Sequence, residues 1–283
     1  MADKQIAILS GKGGTGKTLV AVNLAYVAQN AVYVDCDVEE PNGRLFLRPS
    51  GISSETVTVK IPVVDNTLCN GCKKCVEFCA FNALAYTNGK LLIFEEICHS
   101  CGGCVLLCPQ GALSEKEQPI GQVEKGKSGN IDVATGIVDI GQASGIPIID
   151  KLLKDSVLTQ GKIAFIDCPP GSACIVMDSI KNADYCILVA EPSIFGAHNL
   201  NMVYELVTLF NKPFGVVLNK CMDGDNPSEN FCKQKGIKIL ARIPFDKELG
   251  LLNSNAEIVA KKDEKYNKIF TNLLYNIVKE IGY

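Results

Sequence analysis

Glycine, lysine and threonine fall at fixed spacing in Gly11-Lys12-Gly13-Gly14-Thr15-Gly16-Lys17-Thr18. An apolar run, Ile6-Ala7-Ile8-Leu9, precedes this stretch, and Leu19-Val20-Ala21-Val22-Asn23-Leu24-Ala25, which reads as a helix, follows it. This is the strand–loop–helix setting of a phosphate-binding loop. Glycines let backbone N–H groups close around phosphate oxygens at a helix N-terminus, where the peptide dipoles already present positive charge. Lys17 is placed to neutralise the outer phosphates, and the Thr18 hydroxyl to hold Mg²⁺. A chance Gly-rich turn would not carry this strand and helix on its flanks. The stretch predicts a nucleotide site.

A second chemistry lies in eight of the fourteen cysteines. Cys69, Cys72, Cys75 and Cys79 are spaced Cys-x₂-Cys-x₂-Cys-x₃-Cys. Cys98, Cys101, Cys104 and Cys108 repeat that spacing 29 residues on, and Ala83-Leu84 is matched by Ala112-Leu113. This is the pattern of two-cluster bacterial ferredoxins, in which the fourth cysteine of each run serves the other cluster. Three thiolates on a tight loop would hold three irons, and a fourth on the following helix would reach across. Cys69, Cys72, Cys75 and Cys108 are therefore assigned to one [4Fe–4S] cluster, and Cys98, Cys101, Cys104 and Cys79 to the second. Zinc ribbons, the alternative, use four ligands in two pairs rather than eight at this spacing. Ala80 stands where a proline commonly follows the fourth cysteine. His99 lies in the second loop but outside the ligand spacing, as a surface or supporting residue.

The elements that must position these groups read as an α/β chain with one interruption. Ala31-Val32-Tyr33-Val34 is a buried strand ending in Asp35-Cys36-Asp37, with a polar loop beyond it where open α/β sheets bind ligands. From about residue 60 to 119 the pattern breaks into the cysteine segment. Residues 120–283 resume the rhythm: a helix over 146–158, strands over 162–166, 185–190, 214–218 and 237–241, and helices over 198–210 and 264–281. Such alternation predicts a mostly parallel sheet covered by helices on both faces. The expected organisation is a nucleotide-binding domain in two parts, 1–59 and 120–283, with an α+β ferredoxin-like domain inserted at 60–119. Residues 121–145, rich in glycine, read as loops with a short strand or two.

Composition narrows the function classes. A net charge of −3 argues against a broad basic face for nucleic acid. No apolar run approaches the roughly 20 residues of a membrane span. The chain enters its first strand without a signal-peptide pattern, which points to the cytoplasm, where fourteen cysteines are better read as metal ligands than as disulfides. His99 and His198 are the only histidines, so histidine-rich metal sites are out.

On these motifs the chain resembles the MinD/ParA/Mrp group of P-loop ATPases, and within it MinD-like members carrying an inserted ferredoxin domain. The most specific mark is Lys12, the extra lysine of the deviant Walker A motif. The resemblance implies that Lys12 reaches across an ATP-bridged homodimer to the partner's phosphates. It implies that Asp37 orients the attacking water near Mg²⁺, that Asp167 is the Walker B carboxylate, and that Asp35 is a supporting residue. Pro169-Pro170-Gly171 resembles switch II, Asn219 the residue that reads adenine, and Pro244-Phe245-Asp246 the loop beside it. Guanine-specific relatives need Asp where Met222 stands, so ATP is expected over GTP.

Of the other cysteines, Cys186 suits a buried strand position. Cys221 and Cys232 lack the Cys-x-x-Cys spacing of Mrp-type cluster carriers. Cys174 follows Asp167 by the seven residues that place a cluster ligand in the nitrogenase iron protein, but no second cysteine accompanies it. It is expected as a core or interface thiol. The last helix carries Ile269, Phe270, Leu273, Leu274, Ile277, Val278 and Ile281 on one face without basic excess, so it is expected to dock on the sheet rather than on lipid. The function implied is an ATP-hydrolysing iron–sulfur protein whose nucleotide-dependent homodimer gates electron transfer with a redox or iron–sulfur partner. The alternative is a cluster-delivery factor; a ParA-like partitioning role draws no support from the cysteines.

Overall fold

Continuous apolar runs become strands covered on both faces. β1 (Gln5–Leu9) is buried at all but its first residue, and β2 (Ala31–Asp35) is buried throughout. Between them lies α1 (Lys17–Ala28), and after β2 comes the short α2 (Gly43–Leu47). The computed structural model describes residues 4–156 and 161–282. A long strand, β3 (Ser50–Val64), leads into the cysteine segment: α3 (Lys74–Phe78), the hairpin β4 (Leu84–Thr87) and β5 (Lys90–Ile93), and α4 (Gly103–Leu106). The chain returns through β6 (Leu113–Ser128) and β7 (Ile131–Val138). Then follow α5 (Ile146–Ser156), β8 (Ile163–Asp167), α6 (Cys174–Ile180), β9 (Tyr185–Ala190), α7 (Ile194–Leu209) and β10 (Phe214–Cys221). The chain closes with α8 (Pro227–Lys235), β11 (Ile239–Pro244), α9 (Lys247–Ser254), α10 (Val259–Lys262) and α11 (Glu264–Ile281).

Nine strands form one sheet in the order β11-β10-β9-β1-β8-β2-β7-β6-β3, and only β6 runs against the rest. The predicted α/β sheet is therefore present, with an antiparallel edge. One face packs on α5, α6, α7 and α8 through Ile148, Val176, Val203 and Cys232. The other packs on α1, α9, α10 and α11 through Val20, Leu249, Val259 and Phe270. Helix α11 buries Tyr266, Phe270, Leu273 and Ile277 against this second face, so the expected docking holds. Each fully buried apolar side chain there contributes about 1.5–3 kcal/mol. Among the described residues no helix is long and apolar enough to cross a membrane.

One reading of local structure needs correction. Residues 121–138 are not loops but the inner part of β6 and the whole of β7, paired from Gly121↔Val138 to Ser128↔Ile131. Their glycines serve close packing: a Cβ on Gly136 would lie 2.7 Å from Val38 Cγ1. The expected helix over 146–158 is present as α5 through Ser156, and its last two residues lie outside the described residues.

Beyond the sheet, residues 58–64 and 113–119 of β3 and β6 pair only with each other, as a two-stranded ribbon. Residues 65–112 sit at its end around a small core of Cys75, Leu84, Leu91, Cys104 and Leu113. Both strands run across the expected boundaries at 60 and 119, so the segment is carried on a continuation of the sheet rather than on flexible linkers.

Candidate functional site

The phosphate-binding loop is wedged between α7 and β10. A Cβ on Gly11 would lie 2.2 Å from the Asn199 carbonyl oxygen of α7. Gly16 has φ +100°, and a Cβ there would lie 2.2 Å from Asn219 Nδ2. Asn219 lies inside the fold and its amide donates to Thr15 O at 2.7 Å. In this structure its contact is the loop it supports. Gly13 to Thr18 then line a cleft of about 810 Å³, within the usual range for small-molecule sites. Asp37, Pro169 and Pro170 complete one wall, and Asn253 and Phe46 another. The stretch Pro244-Phe245-Asp246 does not line this cleft, and Phe245 is 59% exposed. Asn253, which no motif in the sequence marks, has a buried Oδ1 with no hydrogen-bond partner among the described residues.

Two carboxylates meet one lysine at the strand ends, with Asp35 behind them. Lys17 Nζ lies 3.7 Å from both Asp37 Oδ2 and Asp167 Oδ1. Tyr33 donates to Asp167 Oδ2 at 3.0 Å, and Asp35 accepts from Gly43 N at 2.9 Å and Asp37 N at 3.3 Å. Burial lowers the Lys17 pKa, but Asp167 and Asp37 outweigh it and hold the ammonium above its ordinary value. Asp37 is pushed up to about 6, first by burial and then by Asp167, against the pull of Lys17. Burial and Asp167 also push Asp35 well above the carboxylate range. Asp167 Oδ1 is buried and has no hydrogen-bond donor among the described residues. A site with surplus negative charge and a carboxylate oxygen without a hydrogen-bond donor fits a hydrated divalent cation. Gly171, in the expected switch II, donates to Ser10 O at 2.9 Å.

Lys12 does not line the cleft. Its ammonium is ion-paired with Glu191, just past β9, in a side chain only 14% exposed. Lys220 Nζ reaches the same carboxylate at 3.4 Å and the Gly14 carbonyl at 2.8 Å. Burial raises the Glu191 pKa, but Lys12 and Lys220 outweigh it and hold the carboxyl below its usual value. Glu191 is a site residue that the sequence motifs miss. The signal is there all the same: like Asp35 and Asp167, it ends a continuous apolar strand.

The eight cysteines separate into two chambers. Cys69, Cys72, Cys75 and Cys108 line one, with Tyr86 and Leu91. Cys79, Cys98, Cys101 and Cys104 line the other, with Phe78 and Phe81. These are the two sets expected from spacing, each with the fourth cysteine exchanged. The fourth cysteine is not on the helix, however: Cys75 and Cys104 are within α3 and α4, while Cys79 caps α3 and Cys108 follows Leu107. The Ala83 and Ala112 N–H groups donate to Cys79 Sγ and Cys108 Sγ at 3.4 and 3.3 Å. Two matched four-thiol chambers fit a pair of four-iron clusters. Among the described residues no three His, Cys, Asp or Glu converge on the position of a single ion. His99 stacks on Phe81, with ring centroids 3.7 Å apart. Cys36, Cys168, Cys186 and Cys232 are buried, whereas Cys174 is exposed, so of the two expected places for its thiol the core is excluded and the interface stays open.

Comparison with known proteins agrees with the nucleotide site. The CobQ/CobB/MinD/ParA nucleotide-binding domain matches residues 6–259. Protein MJ0578 of Methanocaldococcus jannaschii is 28% identical over 279 residues, covering 98% of this chain and 96% of that protein. The septum site-determining protein MinD of Pyrococcus horikoshii, solved with Mg-ADP, superposes with a TM-score of 0.59 at 18% identity, covering 99% of this chain and 98% of that one. At that identity the likeness shows the fold. A short match of 45 residues, 44% identical, links 16% of this chain to 17% of a component of the ion-translocating oxidoreductase complex of Methanosarcina acetivorans. With its phosphate-binding loop, strand-end carboxylates and family match over most of its length, the chain belongs to the CobQ/CobB/MinD/ParA nucleotide-binding family.

Proposed function

We propose that the protein is an ATP-hydrolysing iron–sulfur protein in which two ATP molecules close a homodimer and nucleotide state gates electron transfer through two [4Fe–4S] clusters. Residues 60–119 act as the inserted redox unit. The observation that carries this reading is the pair of four-cysteine chambers at the end of a ribbon continuous with the nucleotide-binding sheet. The Mg-ADP of the MinD relative and the short match to an oxidoreductase component support it.

The chain's own residues have distinct tasks in this reading. Backbone N–H groups of residues 13–18 enclose the phosphates, and Lys17 neutralises the outer oxygens. Asp37 orients a water for in-line attack on the γ-phosphorus, releasing ADP and phosphate. Thr18 and Asp167 would hold Mg²⁺, which supplies charge neutralisation for the leaving phosphate. The eight cysteines would hold the clusters, which supply one-electron storage. Val38 follows Asp37 and accepts from Val138 N at 3.0 Å, and a Cβ on Gly145 would lie 2.5 Å from Val38 Cγ2. The neighbours of Gly145 in the chain, Gln142, Ala143, Ser144, Ile146 and Pro147, line a cleft of about 180 Å³ with Cys98, His99 and Ser100. Asp37 is thus linked through Val38 and Gly145 to a segment that shares this cleft with Cys98 of the second chamber.

The test is anaerobic reoxidation of dithionite-reduced protein by a one-electron acceptor, with ATP, ADP or neither. ATP is expected to change the rate at least threefold; equal rates in all three states overturn gating. Transfer of iron to an apo-ferredoxin would instead favour cluster delivery.

Asp37→Asn separates stability from catalysis. In the fold Asp37 titrates at about 6 against an ordinary 3.8, so the folded chain binds more protons than the unfolded chain between these values. Its ionisation therefore costs stability as pH rises through this window, by up to about 3 kcal/mol above it. The Asn variant is expected to melt about 4–8 °C higher than wild type at pH 7.5 and, below both pKa values at about pH 3, at nearly the same temperature. Its hydrolysis rate should fall about a hundredfold. Identical melting at both pH values would show that Asp37 is not strained by burial.

A further inference from the structure

The two chambers repeat each other in sequence, and their differences are directional. Cys69-Asn70-Gly71-Cys72-Lys73-Lys74-Cys75 aligns with Cys98-His99-Ser100-Cys101-Gly102-Gly103-Cys104. Where the first loop has two lysines, the second has two glycines. Gly103 is required by packing, since a Cβ there would lie 2.2 Å from the Phe78 ring. Lys73 and Lys74 are exposed, and both line the first chamber.

Charge differs in the same sense. Around the second chamber the basic groups are answered by the chain itself: Lys60 by Glu115 at 3.9 Å, and Lys116 by Glu95 at 2.7 Å. Among the described residues neither Lys73 nor Lys74 forms an ion pair; Lys73 Nζ lies over the Tyr86 ring, 5.8 Å from its centroid. Surroundings differ too. The second loop faces the nucleotide-binding body across the cleft shared with Gln142 and Pro147, whereas the first chamber has no lining residue from that body. Cys72 is exposed, as is its counterpart Cys101, and Leu68, Leu106 and Leu107, at 52, 86 and 46% exposure, lie within two residues of Cys69 and Cys108 in the chain.

We propose that the chamber of Cys69, Cys72, Cys75 and Cys108 is the electron port, where Lys73 and Lys74 dock the acidic surface of a one-electron carrier protein. This rests on the redox reading given above. Unpaired surface lysines beside exposed apolar side chains form the rim of a transient interface, in which charge sets the encounter rate and its salt dependence. The step balances as the passage of one electron from the reduced protein to the oxidised carrier, or the reverse.

The experiment uses the full chain loaded with clusters, reduced by dithionite and freed of excess reductant, with a flavodoxin as the acidic acceptor and methyl viologen as a small one. Wild type is expected to reduce flavodoxin with a second-order rate constant that falls about tenfold between low salt and 0.5 M salt. Lys73→Glu/Lys74→Glu is expected to lose at least tenfold at low salt and most of the salt dependence, with iron content and viologen reduction unchanged. The matched reversal Lys247→Glu, on α9, should leave the flavodoxin rate within twofold. A double variant that reduces flavodoxin at the wild-type rate overturns the port while leaving the redox reading intact. Wild type unable to reduce either acceptor overturns the redox reading, and the port with it. Loss of iron in the double variant would show that the two lysines serve cluster retention, and would equally overturn the port.

Discussion

Lys12→Ala is expected to slow ATP hydrolysis by about a thousandfold while leaving ATP affinity within about threefold. Within one chain the cleft is lined by Lys17 and residues 13–18, and Lys12 is turned away onto Glu191. A group outside the ground-state site adds little to binding. It acts on the rate only if it reaches the phosphates as charge moves onto them. In this fold that requires Lys12 to leave Glu191 and approach a second chain. The fold should tolerate its loss, because Lys220 still answers the Glu191 carboxylate. Glu191→Gln is the converse test. Lys12 is 41% exposed, so its pair with Glu191 is partly screened and worth about 0.5–1 kcal/mol. Removing that charge should let ATP drive dimerisation at a concentration about two- to fivefold lower, as read by sedimentation. Wild-type turnover in Lys12→Ala would end the case for a cross-dimer role. Unchanged dimerisation in Glu191→Gln would mean that this pair is not broken on closure.

What is legible in the chain follows a physical division. The phosphate-binding loop and both cysteine runs can be read because their chemistry fixes spacing along the backbone: phosphate contact needs adjacent N–H groups, and three ligands of a cluster need one tight loop. Asp35, Asp37 and Asp167 can be read because each lies at the end of an apolar strand, where a parallel sheet opens to ligand. Glu191 obeys the same rule, but its meaning depends on Lys12, 179 positions away, and no local pattern reports that contact. The glycines of β6 and β7 mislead for a related reason. Gly136 is there because Val38 lies against it, and Gly121 because a Cβ would lie 2.1 Å from the Ile137 carbonyl oxygen. Composition shows a glycine without showing its neighbour. Asn219 is legible in the same partial way: its place toward the end of a strand is plain from the chain, while its contact with the Thr15 carbonyl, 204 positions away, is not.

The exchange of fourth cysteines gives the largest spectroscopic prediction. Cys79→Ala and Cys101→Ala are expected to remove the same cluster, and Cys108→Ala and Cys72→Ala the other, each lowering iron from about eight to about four per chain. Sequence proximity alone would pair Cys79 with Cys75, four residues earlier. The structure instead puts Cys79 in the chamber of Cys98, Cys101 and Cys104, and Cys108 in that of Cys69, Cys72 and Cys75. The reason is the short α3 and α4: each carries its third cysteine inward, and the chain emerging from each helix ends in the opposite chamber. The remaining cluster in Cys79→Ala should therefore give the same low-temperature EPR spectrum as that in Cys101→Ala, and differ from that in Cys72→Ala. Because Lys73 and Lys74 line only the first chamber, its cluster should also be the easier to reduce, since nearby positive charge favours the added electron. If Cys79→Ala instead matches Cys72→Ala, each run holds its own cluster and the crossover is wrong. If all four variants lose all iron, the two chambers form one cooperative unit, and the small core of Leu84, Leu91 and Leu113 does not hold either chamber without both clusters.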